Sequence, residues 1–141
     1  MENSIESIFS GISHSKACRR LTDEFQKYKH VHVQRIETIY HPGVPDLNVC
    51  IQGVEWWIEV KVKRDTLSDI QRLWITLRVK CGGRVAFVKF TKSGEIAVMD
   101  LTRELDLTKF PIILGNVKEV VEYFLQESTY PGAIENVIKS S

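Results

Sequence analysis

Apolar residues recur along this chain with two periods. Ala17, Leu21, Phe25 and Tyr28 fall near helical spacing and predict a helix over 15–28. Residues 31–40, "VHVQRIETIY", alternate and predict a strand, which His41-Pro42-Gly43 and Pro45 then break. Two short strands follow at 46–51 and 54–63. In "LSDIQRLWITLRVKCGG" (67–83), Ile70, Leu73, Trp74 and Leu77 stand at i, i+3, i+4 and i+7. They form the apolar stripe of a helix that Gly82-Gly83 ends, and the stripe assigns Trp74 to the core. Strands at 84–90 and 95–100 flank the turn "TKSG", a helix over 116–128 closes the domain, and 129–141 form a tail or a short extra helix. The order is helix, three strands, helix, two strands, helix. It predicts an α/β fold, a mixed central β-sheet flanked by helices, in one domain over 1–128. The strand–helix–strand unit 54–90 is expected to be a right-handed parallel crossover.

The stretch "HPGVPDLNVCIQGVEWWIEVKVK" (41–63) departs from a plain strand pattern, because Asp46, Glu59 and Lys61 interrupt its Val and Ile. A two-residue turn at Gln52-Gly53 resolves the anomaly, with Gly53 supplying the positive φ such a turn needs. Ile51 then faces Val54, Val49 faces Trp56 and Leu47 faces Ile58, which makes one continuous apolar face. On the other face Asn48 lies opposite Trp57 and Asp46 opposite Glu59, with Cβ atoms about 5 Å apart. Lys61 shares that face two residues on. Slipping the register by one residue would turn the acids inward, so the pairing is firmly specified.

Directly opposed carboxylates repel unless a cation bridges them. Oxygen donors suit a hard ion such as Mg²⁺, with Mn²⁺ as substitute. A lysine beside that ion could lower the pKa of an attacking water or stabilise charge on a phosphate. Metal, activated water and positive charge together are what phosphodiester hydrolysis needs. Surface ion pairs from Lys61 to both acids would account for the same three residues without any chemistry.

Composition leaves room for this chemistry. The chain has 141 residues, 43% hydrophobic and 26% charged, which suits one globular domain. Its apolar runs are too short to span a bilayer, and the N-terminus has acids at Glu2 and Glu6 and no basic leader region. A cytoplasmic location is expected. Cys18, Cys50 and Cys81 are odd in number and show no paired zinc-ligand spacing, so they are read as reduced thiols. The net charge of +1 conceals an asymmetry: residues 61–92 hold nine Lys/Arg and two acids, a net of +7, which leaves −6 for the rest. A basic segment beside the hairpin suits a polyanion, although solvated Lys and Arg at element ends would look the same. Lys63, Arg64, Arg72 and Arg78 are the candidate nucleic-acid contacts, each blind to sequence.

Pro45-Asp46 followed by Glu59-Val60-Lys61 resembles the PD-(D/E)XK nuclease superfamily. The wider match "GVPDL…IEVK…LSDIQ", over roughly 40–90, is similar to the VRR-NUC and Holliday-junction-resolvase-like branch. The resemblance implies a restriction-endonuclease-like sheet core and a Mg²⁺-dependent cut in a nucleic-acid backbone. By position it implies Asp46 and Glu59 as metal ligands, the Val60 carbonyl as a further ligand, and Lys61 as the catalytic lysine. It also implies that Gln71 points towards the site, while Ser68-x-x-Gln71 reads independently as a capping box. The family adds a first-helix Glu. Residues 13–15 offer no acid there, and Glu24 is the nearest candidate.

The reading is a metal-dependent endonuclease acting on branched or structured DNA, with a role in DNA recombination among those open to it. A homodimer is compatible, since paired cuts need two sites. Two alternatives remain open. An RNA endonuclease of the cap-snatching type would use His41 as a ligand, and a non-catalytic nucleic-acid-binding module would keep only the fold. Trp57 either stacks on a base or is covered by a helix, Trp56 is assigned to the core, and His14, His30 and His32 have no partner spacing that signals a metal.

Overall fold

The computed structural model describes residues 11–37, 41–102 and 111–128. Six strands form one sheet in the order β1 to β6: β1 (Val31–Arg35), β2 (Leu47–Ile51), β3 (Val54–Val62), β4 (Arg84–Phe90), β5 (Ile96–Asp100) and β6 (Ile112–Leu114). Neighbours are antiparallel except β3 and β4, which are parallel and joined through helix α2 (Asp69–Lys80). Helix α1 (His14–Phe25) precedes the sheet and α3 (Val117–Ser128) follows it. The sheet is therefore mixed and the fold α/β.

The β2–β3 hairpin has the register expected from its apolar pattern. Leu47 pairs with Ile58, Asn48 with Trp57, Val49 with Trp56 and Ile51 with Val54. Gln52 (φ 47°) and Gly53 (φ 86°) both lie in the left-handed region, the geometry of a two-residue turn that matches strand twist.

Period-two alternation gives each strand two faces. Leu47, Val49, Ile51, Trp56, Ile58 and Val60 are fully buried on one of them. Ala17, Cys18, Leu21 and Phe25 of α1 and Val120, Val121, Phe124 and Leu125 of α3 close over that face in one large cluster. Trp56 packs edge-on to Phe124, ring centroids 5.0 Å apart, and donates its indole N–H to Ser128 Oγ at 2.7 Å. A buried indole keeps its polar atom satisfied in this way.

The other face carries α2 over a smaller cluster of Leu67, Ile75, Val85 and Leu101. Here the sequence pattern misled. Ile70, Leu73 and Leu77 of the expected stripe are exposed by 52–60%, and Trp74 is only half-buried. Ile75 is the fully buried residue of the helix. The helix turns Gln71, Ile75 and Val79 inward because the sheet beneath presents polar Glu59 at one end and Trp57 at the other. Trp57 is covered, by Trp74 at 5.2 Å between centroids and by the Arg78 guanidinium at 5.1 Å.

Several bounds differ from expectation. The first strand ends at Arg35, with 38–40 outside the described residues, and α2 is shorter at each end than 67–83. The three-residue β6 was not anticipated. The tail 129–141 lies outside the described residues. Among the described residues, no helix is long and apolar enough to cross a membrane.

Candidate active site

Three elements deliver the polar side chains. Asp46 stands one residue before β2, where its carbonyl accepts the Ile36 N–H at 2.7 Å. Its Oδ2 accepts the Val60 N–H at 2.9 Å, which locks the carboxylate over β3. Glu59 and Lys61 alternate along β3 on the α2 face, with Lys61 Nζ 3.7 Å from Glu59 Oε1. Gln71 comes from the first turn of α2.

Gln71 caps the helix and contacts Glu59 at once. Its Oε1 accepts the Ser68 N–H at 2.9 Å and its own N–H donates to Ser68 Oγ at 3.2 Å, completing the capping box. The amide nitrogen then donates to Glu59 Oε1 at 3.2 Å. Helix start and site are thus held by one side chain.

Gly43 explains why the loop before Asp46 carries glycine. It has φ 91°, and a Cβ there would come within 2.6 Å of Ile70 Cγ2 and 2.7 Å of the Ile70 carbonyl oxygen. The loop that supplies Asp46 rests directly on the helix that supplies Gln71.

Glu59 is only 2% exposed and is the one buried charged residue among the described residues. Burial, then the charge of Asp46 and a hydrogen bond to it, push its carboxyl up to about 9, against the opposing pull of Lys61. At neutral pH Glu59 therefore holds its proton. Two carboxylates, one at the mouth of β2 and one buried on β3 and kept protonated by burial and by its neighbour's charge, are a fitting donor set for a hard divalent cation. Deprotonation of Glu59 would accompany metal entry.

Lys89 was overlooked in the sequence. It is the Cα partner of Lys61 across the parallel β3–β4 pair, so a second ammonium lies alongside on the same sheet face. Arg72 and Lys89 line one shallow cleft with Asp65, Thr66 and Phe87. Only the β3–β4 register reveals this grouping. Lys63 and Arg64 are exposed just past β3. Arg78 lies seven residues beyond Gln71 along α2, about 10 Å on, stacked on Trp57 and Trp74.

Glu24 is not brought to the site. It pairs with Lys27 at 3.2 Å at the far end of α1. The helix instead contributes His14, whose Nε2 lies 3.1 Å from Asp46 Oδ1, although its spacing in sequence gave no sign of a partner. Cys18, one turn on, is fully buried, and burial first, with Asp46 adding to it, pushes its thiol up to about 12. His41 is exposed on its loop.

This chain superposes on the structure of Hjc, a Holliday junction resolvase from the archaeal hyperthermophile Archaeoglobus fulgidus. The TM-score is 0.51 and the identity 19%, over 76% of this chain and 98% of that one. The fold is resolvase-like. No family model matches the chain, and no curated protein matches it in sequence. At this identity the likeness concerns the fold alone, a restriction-endonuclease-like sheet with its helices.

Proposed function

We propose that the protein is a divalent-metal-dependent endonuclease that hydrolyses phosphodiester bonds in DNA, with branched or otherwise structured DNA as substrate. The observation that carries this reading is the Asp46–Glu59 carboxyl pair with Lys61 beside it, held at one end of a resolvase-like sheet. Asp46, Glu59 and the Val60 carbonyl would hold Mg²⁺ or Mn²⁺, which when bound supplies a Lewis acid for a phosphate oxygen and lowers the pKa of a water.

The chain's own residues do the rest. Val60 N–H and Gln71 Nε2 fix the two carboxylates, so little reorganisation is needed when negative charge approaches. Lys61 orients the attacking water or holds charge developing on the phosphate. Lys89 and Arg72 extend that positive charge along the cleft, while Lys63 and Arg64 contact the flanking backbone. Such contacts position the strand without reading sequence. Arg78, stacked on two indoles, offers its outer edge to a more distant phosphate.

RNA is the second substrate class. The feature favouring it is His14 against Asp46, because a histidine at an acid–lysine site also characterises the cap-snatching type. His41, exposed on its loop, is the less apt candidate for that role.

The test is incubation of the protein with labelled four-way junction, flap, linear duplex, single-stranded DNA and RNA, in Mg²⁺, Mn²⁺ or EDTA. Metal-dependent cutting of a branched DNA in preference to linear duplex is expected. Cutting of RNA alone would move the second reading to first place. Binding without cutting in either metal would leave a nucleic-acid-binding module.

A further inference from the structure

His14 and Cys18 are four residues apart on α1 and so lie on one helix face. Their side chains meet: Cys18 Sγ is 3.8 Å from His14 Nε2. The same nitrogen is 3.1 Å from Asp46 Oδ1, and the three atoms lie within 4.8 Å of one another. Asp46 Oδ2 is engaged by the Val60 N–H, so Oδ1 is the oxygen turned to the helix.

Two of these three separations match edges of a metal tetrahedron, and the sulfur–oxygen edge, within 4.8 Å, would close on binding. With zinc–sulfur near 2.3 Å, and zinc–nitrogen and zinc–oxygen near 2.05 Å, a tetrahedral site has S···N of about 3.6 Å and N···O of about 3.3 Å. The sulfur–nitrogen and nitrogen–oxygen edges each agree to about 0.2 Å. The donors are one imidazole nitrogen, one sulfur and one carboxylate oxygen. That set suits Zn²⁺ or Co²⁺ and disfavours Mg²⁺, which requires near-octahedral oxygen.

We propose that His14 Nε2, Cys18 Sγ and Asp46 Oδ1 form a three-ligand site for a transition metal of the Zn²⁺ class, sharing Asp46 with the Asp46–Glu59 pair. Water completes the fourth position. On binding, the Cys18 thiol releases its proton to solvent, and the neutral His14 ring offers its Nε2 lone pair while its remaining proton sits on Nδ1. No electron is transferred. The bound ion ties α1 to the start of β2. Because Asp46 cannot serve both positions fully, zinc held here opposes magnesium at the acid pair; this consequence alone rests on the proposed nuclease reading.

The test is a Co²⁺ titration of the full chain, read by its visible d–d bands and its near-ultraviolet thiolate charge-transfer band. A tetrahedral spectrum saturating at one equivalent is expected. Cys18→Ala should remove the charge-transfer band, and His14→Ala, at a partly exposed residue, should weaken binding at least roughly tenfold with unfolding unchanged. A variant lacking the other two thiols, Cys50→Ala with Cys81→Ser, should keep the band. A band that survives Cys18→Ala, vanishes with Cys50 and Cys81, or never forms overturns the proposal. Mg²⁺-dependent cleavage by cobalt-free portions of the same proteins separates the two ideas. Cleavage without a band sinks the zinc-class site, and a band without cleavage sinks the nuclease.

Discussion

The two faces of the sheet are built for different purposes. Under α1 and α3, side chains from five strands and two helices form one apolar cluster, with Leu21, Phe25, Trp56 and Phe124 fully buried. Under α2, among the described residues, only Leu67, Ile75, Val85 and Leu101 are buried together, and Glu59, Lys61 and Lys89 share the surface. The first face supplies stability through area removed from water. The second gives up apolar contact so that two acids, two lysines and a glutamine can stand at fixed distances. A site with a buried, protonated glutamate costs stability, and the opposite face is where that cost is offset.

The largest expected effect breaks the stable face. Phe124→Ala removes a ring that touches Trp56, Phe25 and Tyr123 and should cost about 3–5 kcal/mol in denaturant unfolding. Ile75→Ala, at the fully buried residue of α2, should cost less, about 2–3 kcal/mol. Equal losses would mean that the two faces contribute alike.

Glu59→Gln sharpens the comparison in the opposite direction. The folded carboxyl is raised from its ordinary range to about 9, so between these values the folded chain holds a proton that the unfolded chain has lost. Stability of the metal-free protein should therefore be fullest below the unfolded pKa and fall as pH rises towards 9. Glu59→Gln should flatten that slope and stabilise the metal-free protein by about 1–3 kcal/mol at pH 8, measured by thermal or urea unfolding. A steeper slope or a loss of stability would contradict the account.

The smallest effect belongs to the outer side of α2. Leu73 is 60% exposed, so Leu73→Gln should change unfolding free energy by less than about 0.5 kcal/mol. A loss near that of Ile75→Ala would mean that the helix face has been assigned wrongly.

How much of this was legible in sequence depended on whether the cause was local. The hairpin register followed from an apolar alternation and one glycine, and with it came the nearness of Asp46, Glu59 and Lys61. The capping box of Ser68 and Gln71 was equally local. The buried face of α2 was not. Ile70, Leu73, Trp74 and Leu77 make a convincing stripe, but which side of a helix faces a sheet is decided by what the sheet presents. Here it presents Glu59, which draws Gln71 inward and leaves Leu73 outside. Lys89 joined Lys61 only through the parallel register, set by strands more than twenty residues apart. His14 was passed over because its partner, Asp46, lies on another element. Its one local clue was Cys18, four residues on.

The most direct test of the central claim is single-turnover cleavage of a four-way junction in Mg²⁺ by wild-type protein and Lys61→Ala. Binding of the junction is measured in parallel in Ca²⁺. Junction affinity is expected within about threefold of wild type, with a cleavage rate lower by at least roughly a hundredfold, since general acid–base and electrostatic contributions of one positioned group reach that size. A variant that cuts as fast as wild type would contradict the claim, because Lys61 would then be no more than an ion-pair partner of Glu59.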